Sequence, residues 1–151
     1  MAADREKQVT SPPLQMDRAA LTRFLESEFP QVAQMFAIDA LEPMAVTVRL
    51  LHDERHLRPG GTVSGPAMFA LADVAVYLAI MAMIGPKALS VTTNCAIDFM
   101  RKPAAGVDMI CKTRLLKLGR VLAVGECLIY SEGQDTPAAR ASLTYSIPPS
   151  T

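Results

Sequence analysis

The chain of 151 residues has no tryptophan, only two histidines and no excess of charge of either sign. Lysine and arginine number 15, as do aspartate and glutamate, so the formal net charge is zero. A protein that binds nucleic acid normally carries a basic excess or a basic stripe. The balanced charge therefore predicts no nucleic-acid partner, and it permits self-association because no long-range repulsion opposes it.

Cysteine is also scarce, and its spacing indicates neither a disulfide framework nor a metal site. Cys95, Cys111 and Cys127 form no CxxC pair, and each lies among apolar neighbours in a strand-like stretch. A catalytic cysteine needs a nearby base, and the only histidines are His52 and His56. We predict buried, reduced thiols in a cytoplasmic protein.

One apolar run, PAMFALADVAVYLAIMAMI at residues 66–84, approaches the length of a membrane-spanning helix. Asp73 lies near its middle, where a charge in lipid costs about 3 kcal/mol or more. The nearest cation on its N-terminal side is Arg58. We therefore predict no membrane partner, but a long helix buried inside a soluble fold and ending near Gly85.

The rest of the chain predicts strands around this helix. Polar residues 1–15 contain no apolar segment typical of a signal peptide and are predicted to be a disordered tail. Helical periodicity in residues 16–43 predicts an N-terminal helical segment that breaks near Pro30. Strands are predicted at 44–51, 90–100, 107–118, 121–131 and 138–147. Short turns between the last four favour an antiparallel meander, and a helix across it gives an α+β domain over residues 44–151.

Asp73 is the first candidate functional residue. Its neighbours at three and four residues' distance are all uncharged, so it has no ionic partner on its own helix. An unpaired buried carboxylate is costly, and functional carboxylates often occupy such apolar surroundings. A purely structural aspartate at a subunit interface is the alternative that the spacing leaves open.

The start of the long helix is the second candidate site. Ser64 is a suitable N-cap, and Pro66 in the first turn loses no needed donor. The free N–H groups of this turn could polarise a carbonyl oxygen, and Gly65 allows a substrate to approach the backbone. An ordinary helix cap without further function explains the same residues.

Three stretches together resemble the hotdog thioesterases. They are HLRPGGTVSGPAMFALADVA (residues 56–75), SVTTNCAIDFMRKPAAG (90–106) and KLGRVLAVGECLIYSE (117–132). The resemblance covers residues 44–147. It is nearest to the PaaI-like acyl-CoA thioesterases within the 4-hydroxybenzoyl-CoA thioesterase superfamily.

This resemblance implies a hotdog fold, in which an antiparallel sheet wraps a central helix. It implies a homodimer or homotetramer with active sites between protomers, and hydrolysis of an acyl-CoA thioester without a metal or an organic cofactor. Gly65 would donate its N–H to the thioester carbonyl, Asp73 would be the general base or nucleophile, and Thr92 would hydrogen-bond near the carboxylate.

Further residues receive binding roles. Asn94, on the same predicted strand face as Thr92, together with Ser64, Met68 and Tyr77, would line the substrate pocket. Four cations fall in stretches where the family contacts coenzyme A, although a solvated surface role explains them equally: Arg101, Lys102, Lys117 and Arg120.

The chain also departs from the family pattern. Ser64 replaces the usual histidine, Pro66 replaces a glycine, and Arg58 replaces an asparagine. Arg58 would meet an acidic substrate or a CoA phosphate. These changes keep a second hypothesis open, a non-catalytic hotdog protein that binds acyl-CoA. A hotdog hydratase is disfavoured because no histidine follows His56.

Overall fold

A computed structural model describes residues 12–149, which form one antiparallel sheet of six strands around a central helix. The helices are α1 (Arg18–Glu28), α2 (Pro30–Ala33) and α3 (Gly65–Ile84), with a short 3-10 turn at Glu54–His56. The strands are β1 (Phe36–Glu42), β2 (Ala45–Leu50), β3 (Val91–Phe99), β4 (Met109–Leu118), β5 (Leu122–Ser131) and β6 (Ala139–Ser146).

The strands lie in the order β1-β2-β4-β5-β6-β3, so β1 and β3 are the two edges of the sheet. Every neighbouring pair is antiparallel. The predicted α+β architecture is therefore confirmed. The predicted meander of the last four strands is wrong for β3, which pairs with β6 and not with β4. The residues that follow α3 therefore lie at an open edge of the sheet.

Helix α3 is apolar on nearly all sides because the curved sheet surrounds it. By length and composition it is the one helix in residues 12–149 that could span a membrane, with a mean hydropathy of 2.2. Yet 78% of its most apolar stretch is buried inside the fold. The hydrophobic effect thus explains this helix as the centre of the core.

A glycine in β5 allows the sheet to approach α3 closely. A Cβ built on Gly125 would lie 3.0 Å from Cγ2 and 3.1 Å from Cγ1 of Val76. Overpacking a filled core costs about 1–3 kcal/mol. Gly125→Ala is therefore expected to lower the free energy of unfolding by about that amount, as measured by urea denaturation.

The compensating substitution for this prediction is Val76→Ala, which removes the two methyl groups that the new Cβ would meet. In the Val76→Ala background, Gly125→Ala is expected to lower the free energy of unfolding by less than it does in the wild type. Equal losses in both backgrounds would show that the contact with Val76 is not the cause.

Strand β1 lies inside residues 16–43, the segment assigned from the sequence to helix. The helical pattern holds only as far as Ala33, and Phe36–Glu42 then pairs with β2. An irregularity in the register between Ile38 and Ala40 interrupts the alternation of this strand. That interruption hides the two-residue period by which a strand is recognised, and the sheet begins before the predicted boundary at residue 44.

The N-terminal segment is tied to the end of α3. Residues 1–11 of the predicted tail lie outside the described part of the chain, so the prediction of disorder is not addressed there. The N–H groups of Gln15 and Met16 donate to Ala82 O at 2.7 and 3.2 Å. Asp17 then caps α1, accepting from Ala20 N–H at 2.8 Å.

Candidate active site

Asp73 lies on the side of α3 that the sheet leaves open. It is half-buried, and Phe69, one turn earlier on the same face, is 40% exposed. The residues on either side of Asp73, Ala72 and Val74, are buried. The carboxylate therefore lies at the boundary between the core and the surface of the chain.

Two hydroxyl groups donate to the same oxygen of this carboxylate. Thr92 Oγ1 of β3 lies 2.5 Å from Asp73 Oδ1, and the Tyr145 hydroxyl of β6 lies 2.6 Å from it. The Tyr145 hydroxyl also lies 2.7 Å from the main-chain oxygen of Asp73. In residues 12–149, Oδ2 has no such partner.

The pairing of β3 with β6 brings these two hydroxyls together. Thr92 is directly opposite Tyr145 in the register, so both side chains point to the same face of the sheet. Tyr145 is not among the residues predicted from the sequence. The available signal was a tyrosine in an otherwise apolar strand, since a buried tyrosine hydroxyl usually has a hydrogen-bond partner.

A bulge in β3 changes which residues face the site. The register shifts between Thr92 and Asn94, so Asn94 is opposite Thr144, the next residue along β6 from Tyr145. Successive residues of a strand point to opposite faces. The prediction that Asn94 shares a face with Thr92 is therefore wrong, because Asn94 points away from Asp73 while Cys95 points inward.

Burial and charge keep the neighbouring groups in their neutral forms. Burial raises the pKa of Tyr145 far above its usual value, and the charge of Asp73 raises it further, so the hydroxyl stays a donor. Burial, then the charge of Asp73, raises the pKa of the Cys95 thiol. That makes Cys95 a poor nucleophile. All three cysteines are free thiols; Cys111 and Cys127 are buried, whereas Cys95 is only half-buried.

Tyr77 lies one turn after Asp73 on α3, and its ring packs against that of Tyr145. Its hydroxyl donates to Ala88 O at 3.0 Å, and its ring centre lies 6.3 Å from that of Tyr145. Burial raises the pKa of Tyr77. Tyr77 thus supports Tyr145 from behind, where only a small part of its surface remains open.

At the start of α3, one backbone N–H, that of Gly65, has no hydrogen-bond partner in residues 12–149. Ser64 caps the helix, since its Oγ accepts from Ala67 N–H at 3.2 Å and its main-chain O accepts from Met68 N–H at 3.1 Å. Pro66 has no N–H. The N–H of Gly65 is thus the first donor of the helix, where the helix dipole favours negative charge.

Gly65 also lies against the ring of Phe99. A Cβ at this position would be 3.2 Å from Phe99 Cζ, closer than ordinary van der Waals contact. The absence of a side chain at Gly65 therefore lets the Phe99 ring of β3 approach the start of the helix.

A groove of about 530 Å³ runs past this helix start, with cations along its wall. Its lining includes Arg58, Gly65, Met68, Phe99, Arg101 and Lys102. Arg101 donates to Pro137 O at 2.9 Å. Within residues 12–149, the side chains of Arg58 and Lys102 have no hydrogen bond or ion pair.

The other two predicted CoA contacts lie at the far end of α3. Arg120 lines a separate cavity with Ile84, the last residue of the helix, and Lys117 is close to it in the β4–β5 hairpin. In one protomer, Lys117 and Arg120 are therefore apart from the groove that holds Arg101 and Lys102.

Gly65 and Asp73 do not form one site within a single chain. Eight residues of α-helix separate them, which is about 12 Å along the axis. A donor to a thioester carbonyl and the base for the attacking water must both lie within about 3 Å of their targets.

No group of three or more potential metal ligands occurs in residues 12–149.

Comparison with known proteins places this geometry in a family. A sequence profile of the thioesterase superfamily matches residues 60–138. A candidate esterase of Pseudomonas aeruginosa is 30% identical over 110 residues, which are 73% of this chain and 79% of that protein.

Solved structures agree in fold. A candidate thioesterase from Silicibacter sp. TM1040 is 57% identical, with a TM-score of 0.85 over 90% of this chain and 94% of that chain. A variant of the phenylacetic acid degradation protein PaaI from Thermus thermophilus is 25% identical, with a TM-score of 0.68 over 79% of this chain and 99% of that chain. The chain is therefore a member of the thioesterase superfamily and has the hotdog fold.

Proposed function

We propose that this protein hydrolyses an acyl-CoA thioester at a site that two copies of the chain complete together. The observation that carries the proposal is the carboxylate of Asp73, held through Oδ1 by Thr92 and Tyr145 while Oδ2 is left without a partner in residues 12–149. A carboxylate fixed in this way has one oxygen available for chemistry. The proposed reaction needs no metal and no organic cofactor.

The proposed chemistry divides between a donor and a carboxylate. The N–H of Gly65 binds the thioester oxygen and stabilises the negative charge that develops there. As a general base, Asp73 Oδ2 takes a proton from water while the water oxygen attacks the carbonyl carbon. The intermediate then expels the CoA thiolate, which takes up a proton, and the products are a carboxylic acid and CoA.

The nucleophilic alternative uses the same oxygen. Oδ2 would attack the carbonyl carbon, expel the thiolate and form a mixed anhydride, which water then hydrolyses to restore Asp73. Both routes place the thioester against Oδ2, and both need the donor from Gly65.

The separation of Gly65 from Asp73 supports a shared site, because a second protomer can supply the missing group. The open edge strand β3 is a natural place for the contact, since its backbone has unpaired hydrogen-bonding groups. Val91 and Phe99, at the two ends of this edge strand, are 55% and 52% exposed, and Phe69 on α3 is 40% exposed. In a dimer, pairing of two β3 edges would cover exposed apolar side chains of this strand. A tetramer could be built from two such dimers.

The cationic groove is the proposed site for the phosphates of coenzyme A. If so, Arg58→Gln and Lys102→Gln are each expected to raise KM for an acyl-CoA about threefold to tenfold at low salt, with little change in kcat. The measurement is initial-rate kinetics at two ionic strengths. Lys112→Gln is the control, because Lys112 lies over the Tyr130 ring on the outer face of the sheet.

If the groove binds phosphate, the rise in KM caused by each groove substitution must also shrink as the salt concentration increases, because salt screens exposed charges. A KM for both groove variants equal to that of Lys112→Gln would show that the groove does not hold the CoA phosphates.

Met68 lines the same groove, and Ser64 caps the helix that begins beside it. We therefore propose that both residues contact the substrate near the thioester.

The test of the activity is a panel of acyl-CoAs that vary in chain length and aromaticity. Purified protein is mixed with each, and free thiol is followed with a chromogenic disulfide. Release well above the uncatalysed rate for at least one acyl-CoA is expected. Tight acyl-CoA binding with no thiol release would instead favour a binding protein. Ser64, Pro66 and Arg58 suggest this alternative, because they stand at positions where the family has other residues.

We also propose a cytoplasmic location, which the three free thiols support.

A further inference from the structure

We infer that Tyr145 is a positioning residue that, together with Thr92, selects Oδ2 of Asp73 as the reacting oxygen. The inference rests on the proposed thioesterase function and adds a residue and an atomic assignment to it. Its basis is the convergence of two hydroxyl donors on one carboxylate oxygen, at 2.5 and 2.6 Å.

Tyr145 is held rigidly enough to do this. Its side chain is only 2% exposed, it sits within β6, and its ring packs against that of Tyr77. A buried tyrosine has few rotamers available, so the hydroxyl is aimed at the carboxylate before any substrate arrives. Thr92 approaches the same oxygen from the neighbouring strand.

The contact of the Tyr145 hydroxyl with the main chain of Asp73 limits how the carboxylate can move. The hydroxyl also lies 2.7 Å from the main-chain oxygen of Asp73, so it contacts both ends of the same residue. Rotation of the Asp73 side chain about χ1 would break the contact with Oδ1 while the main-chain contact stayed. Two donors on Oδ1 therefore favour one rotamer, in which Oδ2 faces the open side of α3.

This arrangement also divides the electronic roles of the two oxygens. Hydrogen bonds to an ionised oxygen are among the stronger ones in proteins, and here they stabilise negative charge on Oδ1. Oδ2, which receives neither bond, is the oxygen that meets the water or the thioester carbon. Since burial keeps the Tyr145 hydroxyl protonated by raising its pKa, it remains a donor over the whole pH range in which thioesters are assayed.

The test is Tyr145→Phe, which removes the hydroxyl and keeps the ring. We expect kcat to fall about tenfold to a hundredfold while KM changes less than about twofold, because the lost interaction orients a reacting group and does not hold the substrate. Tyr130→Phe is the matched control. Tyr130 lies on β5 with its ring under Lys112, on the outer face, and its substitution is expected to leave kcat unchanged.

A second substitution keeps the test decisive if Tyr145→Phe does not fold. 3-Fluorotyrosine at position 145 preserves the ring and the hydroxyl but makes the phenol more acidic and hence a stronger donor to Oδ1. The stronger hydrogen bond withdraws charge from the carboxylate and lowers the basicity of Oδ2. A fall in kcat of about twofold to fivefold at constant KM is expected. A merely structural hydroxyl would leave kcat unaltered in this variant.

The outcomes separate this inference from the proposed function. If the wild-type protein releases no thiol from any acyl-CoA, the proposed function fails and the inference fails with it. If the wild type is active but Tyr145→Phe or the fluorinated variant retains the full kcat, the function stands and the role of Tyr145 is overturned. A loss that appears in KM and not in kcat overturns it equally.

Discussion

Replacing Asp73 by asparagine is expected to lower kcat for thioester hydrolysis by about a thousandfold, within the range that a general base or nucleophile contributes. The amide keeps an oxygen that Thr92 and Tyr145 can still contact, so the local hydrogen bonds survive in part. It does not accept a proton from water, and it is a poor nucleophile. The chemical step is lost while the shape of the site is retained.

The measurement is thiol release under saturating acyl-CoA, with thermal unfolding as the test of folding. Asp135→Asn is the control, because Asp135 is exposed in the β5–β6 turn and the charge change is the same. An Asp73→Asn protein that hydrolyses acyl-CoA at the wild-type rate would remove Asp73 from the mechanism. It would make the structural role left open by its spacing the better explanation.

Gly65→Val is expected to lower kcat/KM about a hundredfold, which is the scale of losing one donor to an oxyanion. A Cβ already comes within 3.2 Å of Phe99 Cζ, and the branched side chain adds two further carbon atoms beside the free N–H. The ring must shift, and the carbonyl oxygen loses its approach to the backbone.

The graded substitution Gly65→Ala tests this explanation. Alanine adds only the Cβ, so an intermediate loss of kcat/KM is expected, with the helix cap at Ser64 intact. If Gly65→Val binds and hydrolyses acyl-CoA as the wild type does, the Gly65 N–H is not the donor to the carbonyl. The thermal midpoint of both variants decides whether any loss reflects unfolding.

The long helix and its aspartate could be predicted from sequence because they depend on local patterns. A run of apolar residues bounded by Ser64 and Gly85 sets the helix ends, and a single charge inside it is conspicuous. The cap at Ser64 and the first-turn proline follow the usual preferences for helix starts. The positions of the strands after α3 followed from alternation and short turns, but the pairing of β3 with β6 did not.

The partners of Asp73 depended on tertiary structure. Tyr145 is 72 residues away along the chain and reaches Asp73 because β6 packs against α3, while the pairing of β3 with β6 places Thr92 beside it. The bulge at Thr93 reverses the face of Asn94, and alternation alone cannot reveal an inserted residue. Strand β1 was missed for a similar reason, since its own register irregularity obscures the pattern.

The positions of the predicted CoA-binding cations also depended on tertiary structure. Arg58, Arg101 and Lys102 come from two separate stretches, yet the fold places them along one groove beside Gly65. Lys117 and Arg120 are found at the opposite end of α3. Sequence identified the charges but could not tell which would share a surface within one protomer, because that depends on how β3 and the β4–β5 hairpin lie relative to the helix.

The most direct test of a shared thioesterase site is to mix the two inactive variants in one dimer. Asp73→Asn and Gly65→Val chains are co-expressed with different affinity tags, and acyl-CoA hydrolysis by the doubly purified heterodimer is compared with the wild type. If Asp73 of one protomer works with Gly65 of its partner, each heterodimer keeps one intact site, and about half of the wild-type activity returns. If the heterodimer is as inactive as either parent, the two residues do not act on one thioester across an interface.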